Sequence, residues 1–210
     1  MTESLRRQLI ETAVGMNRCG INQGTSGNLS ARHKDGMLIT PSGMDYAKLQ
    51  PEDIVFVDAA GGAEGQRKPS SEWRIHSDIY GARADAGVIL HAHPTFCAAL
   101  ACLRKPIPAF HYMVAVGGGR NIRCAPYATF GTQELSDFAL TALKGRKACL
   151  LANHGLLCMA SDFAGALSLA VEIEQLARTY LQCLAVGEPV ILDDEEMERV
   201  LAKFRDYGKS

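Results

Sequence analysis

The segment Val88-Ile89-Leu90-His91-Ala92-His93-Pro94 constrains this chain more than any other. A short apolar run reads as a buried strand, and this one ends in two histidines separated by one residue. Side chains on a strand alternate faces, so His91 and His93 point the same way, about 7 Å apart along the strand. Two imidazoles on one face at the end of a buried strand make half of a metal site. On a strand open to water the same spacing would carry no such meaning. Asn153-His154-Gly155 changes the reading, because it follows a second apolar strand, Ala148-Cys149-Leu150-Leu151-Ala152. A third histidine at a second strand end is what a three-histidine metal centre requires.

Three neutral nitrogens leave at least one coordination position open, the pattern of a catalytic rather than a structural site. Glu72 is the leading carboxylate. It is expected in the first turn of a helix that begins after Ser70-Ser71, where the helix dipole favours an anion. Trp73 beside it can exclude water and raise the proton affinity of the carboxylate, as base chemistry needs. His76 lies one turn further on and can support Glu72 from behind. His33 reads as a surface residue, and His111 has a weaker case as a ligand.

Three segments combine glycine or proline with small hydroxyls: Gly24-Thr25-Ser26-Gly27-Asn28, Thr40-Pro41-Ser42-Gly43 and Pro69-Ser70-Ser71. Glycine lets the backbone approach an anion, and hydroxyl and amide groups donate to phosphate oxygens. Ser70-Ser71 also stands at an expected helix N-terminus, a good place for an anion. None of the three matches a P-loop or a dinucleotide fingerprint, so a nucleotide is not indicated. Each alone is an ordinary turn, but together, with one running straight into Glu72, they favour a phosphate beside the metal.

The remaining pattern is mixed. Leu5, Leu9, Ala13 and Met16 recur at helical spacing up to Gly20, and strands are expected at 29–32, 37–40 and 54–57. Gly61 to Gly65 reads as a mobile segment, and 117–127 as a loop holding one strand. Helices are expected over 72–83, 94–103, 135–143, 162–186 (with Asp162 as N-cap and Gly187 as stop) and 193–204. Two strands flank the Asn-His-Gly turn between Cys149 and Met159. Several strands follow one another too closely for helical crossovers, so the sheet should be mostly antiparallel and flanked by helices.

Length and charge then narrow the class. At 210 residues the chain suits a single α/β domain over 1–210, with no internal linker. Its 22 basic and 23 acidic residues are dispersed, which argues against nucleic acid or an anionic membrane surface as partner. No apolar run approaches a membrane span, and the N-terminus lacks the apolar stretch of a signal peptide. Seven cysteines, an odd number with no C-x-x-C pair, read as small buried hydrophobes of a cytoplasmic protein.

Taken in order, Gly24-Thr25-Ser26-Gly27-Asn28-Leu29-Ser30, Thr40-Pro41-Ser42-Gly43, Ser70-Ser71-Glu72-Trp73, His91-Ala92-His93-Pro94 and Asn153-His154-Gly155 resemble the class II aldolases of the fuculose-1-phosphate aldolase/adducin superfamily. The resemblance runs from the first helix to the last. It implies a three-layer α/β/α fold and a Zn²⁺ held by His91, His93 and His154, Mn²⁺ or Co²⁺ being other ions for such a site. Glu72 would be a displaceable fourth ligand that becomes the general acid/base.

By the same resemblance Thr25, Gly27, Asn28, Ser42, Gly43, Ser70 and Ser71 would hold a substrate phosphate. Tyr112 and, less securely matched, Tyr207 would be catalytic tyrosines. A homotetramer with active sites at subunit interfaces is also implied. The activity implied is reversible cleavage of a ketose 1-phosphate, such as fuculose, 5-deoxyribulose or methylthioribulose 1-phosphate. The products are dihydroxyacetone phosphate and an aldehyde, formed through a zinc-stabilised enediolate. Rivals within the superfamily are pentulose-phosphate 4-epimerases, sugar-phosphate dehydratases and sugar-acid-phosphate decarboxylases. A non-enzymatic adducin-like interaction domain is the rival outside catalysis, and it need not keep the metal ligands present here.

Overall fold

The alternation of side chains between two faces along each strand is the organising fact of the fold. The structure, a computed structural model, describes residues 2–206. Helix α1 (Thr2–Arg18) buries Leu9, Ala13 and Met16 on one stripe. Strands β1 (Asn28–His33), β2 (Gly36–Ile39), β3 (Val55–Asp58) and β4 (Ala63–Glu64) follow as an antiparallel meander. Helix α2 (Trp73–Ala82) leads to β5 (Val88–Ala92) and helix α3 (Thr95–Cys102).

After a six-residue 3₁₀ helix over Tyr112–Gly117 come β6 (Arg123–Ala125), helix α4 (Gln133–Ala142), β7 (Ala148–Leu151) and β8 (Gly155–Ala160). Helices α5 (Phe163–Val186) and α6 (Asp194–Asp206) complete the described chain. The described strands form one eight-stranded sheet in the order β4-β3-β2-β1-β5-β8-β7-β6. Every neighbouring pair is antiparallel except β6 and β7.

Alternate residues of the same strands feed two separate cores. Leu29, Ala31, Leu90, Ala92 and Cys158 pack with Leu9 of α1, Leu100 of α3 and Ile173 of α5. Met37, Ile39, Ile89, Leu157 and Met159 pack with Ile75 and Ile79 of α2 and with Leu135 and Ala139 of α4. The result is the expected three-layer α/β/α arrangement, with α2 and α4 on one side and α1, α3 and α5 on the other. Burial on both faces explains why β5 and β7 read as continuous apolar runs.

Two expectations are corrected. The segment from Gly61 to Gly65 is not loose: Ala63 and Glu64 pair with β3, and Asp58 Oδ1 accepts from the Ala60 and Gly62 amides, each at 2.8 Å. A short polar acceptor closing its own turn gives this hairpin a fixed shape without any apolar pattern to announce it. Glu72 lies not in the first turn of α2 but at the position before it, and Ser70 Oγ accepts from the Glu72 amide at 3.3 Å. Asp162 caps α5 as expected, its Oδ1 accepting from the Gly165 amide at 2.8 Å. All seven cysteines are free thiols, but only Cys97, Cys149 and Cys158 are buried, contrary to the expectation for all seven. Among the described residues no helix is long and apolar enough to cross a membrane.

Candidate metal centre and active site

The site is assembled where β1, β5, the β7–β8 turn and the start of α2 meet. Asn28 and His91 stand opposite each other in the β1–β5 ladder, so both turn toward α2. His91 Nδ1 lies 2.9 Å from the Leu156 carbonyl. A carbonyl can only accept, so Nδ1 carries the hydrogen and the Nε2 lone pair is left to face the site. His93 sits one residue past β5, and His154 sits in the turn between β7 and β8. The three rings face one another pairwise with centroids 4.7–4.8 Å apart.

The backbone around them is built for close approach. A side chain at Gly155 would put Cβ 2.5 Å from the Ala92 carbonyl and 2.7 Å from His93 Cδ2. At Gly27 it would fall 2.7 Å from the His91 carbonyl. Both positions therefore require glycine for the strand ends to converge. Asn153 has φ 53°, in the left-handed region that asparagine tolerates. Its amide donates to the Ala101 carbonyl at 2.9 Å, and its Oδ1 accepts from Arg104 Nε at 3.0 Å. The C-terminal end of α3 thus anchors the turn that carries His154.

The other end of α3 follows His93-Pro94, and Pro94 offers no side-chain cap. Glu174, reaching across from α5, accepts from the Phe96 and Cys97 amides at 2.9 and 2.8 Å, satisfying donors the helix leaves open.

Glu72 closes the group. It is 5% exposed, with Oε2 3.2 Å from His91 Nε2 and Oε1 3.5 Å from His154 Nε2. His91 Nε2 and His93 Nε2 are 2.9 Å apart, and the ligating atoms of the three histidines all lie within 4.8 Å of one another. Nitrogens bound at about 2.0–2.1 Å to one tetrahedral ion stand about 3.3 Å apart, so this separation suits a single metal. Glu72 Oε1 is buried without a hydrogen-bond partner, a costly state for a carboxylate oxygen unless a cation faces it. The donor set of three imidazoles and one carboxylate fits a divalent metal.

The electrostatics agree with that fit for His93 and His154, whereas at His91, where burial alone would lower it, the neighbouring Glu72 raises the imidazole above its ordinary value. Burial, with His91 close by, pushes His93 and His154 down to about 4, so both rings are neutral and their lone pairs are available at physiological pH. Burial alone would raise the Glu72 carboxyl. The His91 imidazole first, then His154 and the Asn28 amide, outweigh it and hold the group well below the usual carboxylate range.

The three hydroxyl-rich segments lie side by side at this corner. The Thr40 amide donates to the Leu29 carbonyl at 3.0 Å, and Leu29 N donates to Thr40 Oγ1 at 3.2 Å. The Ser70 amide donates to the Thr40 carbonyl, and the Ser42 amide to the Lys68 carbonyl, both at 3.1 Å. Ser42, Gly43 and Ser71 remain exposed on this seam, Ser70 is buried, and Thr25 is exposed in the loop before β1.

Residues 7–181 match the family described as the class II aldolase and adducin N-terminal domain. The chain belongs to that family. A 5-methylthioribulose-1-phosphate/5-deoxyribulose-1-phosphate aldolase of Rhodospirillum rubrum is 56% identical over 205 residues, spanning 98% of this chain and 93% of that protein. An L-fuculose phosphate aldolase of Escherichia coli K12 is 52% identical over 205 residues, spanning 97% of this chain and 95% of that protein. A solved structure of an L-fuculose 1-phosphate aldolase superposes with a TM-score of 0.93 at 44% identity, covering 96% of both chains.

Within this class II aldolase fold the remaining expected residues are distributed unevenly. Tyr112 opens the 3₁₀ helix, half-exposed and stacked on His111 at 4.9 Å. It lines a cavity of about 590 Å³ with Glu196, Arg199, Lys203 and Phe204. Among the described residues no hydrogen bond or ring contact joins Tyr112 to Glu72 or to the three histidines. Tyr207 lies outside the described residues. The Trp73 ring packs against Gly61 and under the Arg74 guanidinium.

His76 is fully buried behind Glu72, as its spacing suggested, and burial pushes it down to about 3. Ser30, hydrogen-bonded to His76, and Tyr80, hydrogen-bonded to Ser30, have places here that the motif reading did not assign. Periodicity carried a signal for both: Ser30 is two residues from Asn28 on β1, and Tyr80 is four residues from His76 on α2.

Proposed function

We propose that this chain is a metal-dependent class II aldolase that reversibly cleaves a ketose 1-phosphate to dihydroxyacetone phosphate and an aldehyde. The convergence of His91, His93, His154 and Glu72 beside the stitched Thr40–Gly43 and Ser70–Ser71 segments carries this reading. The donor set suits Zn²⁺, with Mn²⁺ or Co²⁺ as alternatives. When bound, the metal supplies Lewis-acid stabilisation of the negative charge that carbon–carbon cleavage leaves on the substrate oxygens.

The protein's own residues divide the rest of the work. Hydroxyls of Thr25, Ser42, Ser70 and Ser71 and the backbone at Gly27 and Gly43 hold the phosphate. Asn28, whose side chain is also hydrogen-bonded to Glu72 and His76, is assigned to the same phosphate site. Glu72 gives a proton to C3 as the C3–C4 bond breaks, or takes it back in the condensation direction. A tyrosine takes the proton from the C4 oxygen as it becomes the aldehyde; Tyr112 is assigned that role, and Tyr207, less securely matched, is the second catalytic tyrosine.

Tyr112 faces α6 rather than the imidazoles, so it is assigned to the active site of a neighbouring subunit in a homotetramer. Exposed Leu103, Tyr127 and Phe130 favour such association. The domain is taken to span 1–210 and to work in the cytoplasm. That location is supported by seven unpaired cysteines and by metabolic relatives.

The decisive test is a coupled assay for dihydroxyacetone phosphate across fuculose, rhamnulose, 5-deoxyribulose and methylthioribulose 1-phosphates. It should release product from at least one, stop on chelation and restart on adding Zn²⁺. If no ketose 1-phosphate released it, or if His93→Ala matched the wild type, the aldolase reading would be lost.

A further inference from the structure

Behind Glu72 a line of buried polar groups runs away from the metal centre into the layer between the sheet and α2. Glu72 Oε2 lies 3.0 Å from Asn28 Nδ2, and Asn28 Oδ1 lies 2.5 Å from His76 Nε2. His76 Nδ1 is 2.7 Å from Ser30 Oγ, which is 2.9 Å from the Tyr80 hydroxyl. Asn28, Ser30, His76 and Tyr80 are all buried. A polar chain of this length inside a core is kept only if every member is satisfied.

Donor and acceptor roles are fixed by elimination from one end. The Glu72 carboxylate can only accept, so the Asn28 amide must present its NH₂ to it and its carbonyl to His76. That carbonyl can only accept, so His76 carries its hydrogen on Nε2. The buried ring is neutral, so Nδ1 is a lone pair and the Ser30 hydroxyl donates to it. With its hydrogen spent, Ser30 accepts from Tyr80, whose more distant alternative is the Gly87 carbonyl at 3.5 Å. Every hydrogen bond in the row therefore points toward Glu72, and successive bonds of one sense polarise each other. The row ends on Oε2 alone, whereas Oε1 has no hydrogen-bond partner.

We propose that His76 is a positioning residue: acting through Asn28, it fixes Oε2 of Glu72 and leaves Oε1 as the oxygen that carries the proton to and from the substrate carbon. This rests on the reading of Glu72 as the acid/base. Reversing the row would turn the Asn28 carbonyl against a carboxylate, so the single ring hydrogen on Nε2 holds the arrangement together. Losing it frees the amide to turn and the carboxylate to swing, which spoils the alignment of Oε1 rather than the binding of substrate.

Two substitutions separate the ring nitrogens in the metal-loaded protein. Asparagine reaches about where Nδ1 lies, and glutamine about where Nε2 lies. His76→Gln, still able to donate to Asn28, should stay within roughly threefold of wild-type kcat, whereas His76→Asn should lose about 10- to 100-fold in kcat with KM little changed. Exchange of the hydroxymethyl proton of dihydroxyacetone phosphate in heavy water, followed by NMR, should fall in step with kcat. Equal loss in both variants, or loss in neither, would overturn the proposal.

The wild type supplies a test that needs no variant to fold. Imidazole ¹⁵N–¹H spectra should show His76 as the neutral Nε2–H tautomer, and an Nδ1–H tautomer would overturn the proposal by itself. Failure of the underlying reading looks different: Glu72→Gln would then exchange the proton at the wild-type rate.

Discussion

On β1, Leu29 and Ala31 turn toward α1, α3 and α5, while Asn28 and Ser30 turn toward α2. On β5, Leu90 and Ala92 take the first direction, and His91 takes the second. The same two neighbouring strands thus present an apolar wall on one side and, beside the apolar Ile89, a connected set of polar groups on the other. The apolar side is non-directional and gains stability with area buried. The polar side gains little net stability for its hydrogen bonds but has one arrangement in which all its groups are satisfied. A β-sheet can carry both because alternation lets one residue be chosen for packing and the next for chemistry.

The comparison predicts that substitutions on the two sides separate activity from stability. Glu72→Gln should have the largest effect, lowering kcat by about 10²–10⁴-fold, the usual contribution of a positioned acid/base. It should lower the thermal midpoint of the metal-free protein, because the depressed carboxyl pKa means that the ionised group stabilises the fold at neutral pH. Thermal unfolding beside steady-state kinetics decides this, and a variant that fails to fold would break the division.

Leu90→Ala, on the other side of the strand that bears His91, should cost about 2–5 kcal/mol in urea unfolding. It should keep most of its kcat per folded molecule. A collapse of kcat in a variant that is still folded would show that the apolar wall also tunes the site.

The smallest effect concerns α5, which covers the apolar wall and is capped by Asp162. The Gly165 amide, with the Ser161 hydroxyl, holds the Asp162 carboxyl below the ordinary carboxylate value. Its folded pKa lies below its unfolded one, so the stabilisation is complete at neutral pH and is lost as pH falls through the folded value. Asp162→Ala should therefore cost about 1 kcal/mol at pH 7, with the gap to wild type closing below about pH 4. A gap that widened on acidification would contradict this account of the cap.

What could be read from the sequence follows the range of the interactions. Strands β2, β3, β5 and β7 show in their own apolar runs, β1 in the alternation of Leu29 and Ala31 with polar residues, and α5 between Asp162 and Gly187. Each of these signals is local. The three histidines are legible because two share a strand and the third stands in a turn whose residues, Asn153 and Gly155, are demanded by backbone geometry.

The hairpin at β4 is not legible, because Asp58 and backbone pairing hold it where no hydrophobic pattern exists. Nor is the insertion of β5 between β1 and β8, since strand order is set by long-range register. Ser30 and Tyr80 lie between. Their spacing to Asn28 and His76 is regular, but only the packing of α2 on β1 turns two regular spacings into one contact. Tyr112 is the hardest case, because its expected role depends on a surface that one chain does not supply.

Helix α3 acts as a gauge block. His93-Pro94 leads into one end, the Asn153–His154 turn is tied to Ala101 near the other, and Glu174 fixes its seating. The distance between two halves of the metal centre is therefore measured out in helical residues, each worth about 1.5 Å of rise and a 100° rotation. The composition of α3 can drift widely provided it stays apolar toward α5. Its length matters more, since it sets where Ala101 meets the Asn153 amide, while β5–β8 pairing holds the same turn from the other side. The placing of the His154 turn beside His91 and His93 thus draws on a helix that contributes no side chain to the site.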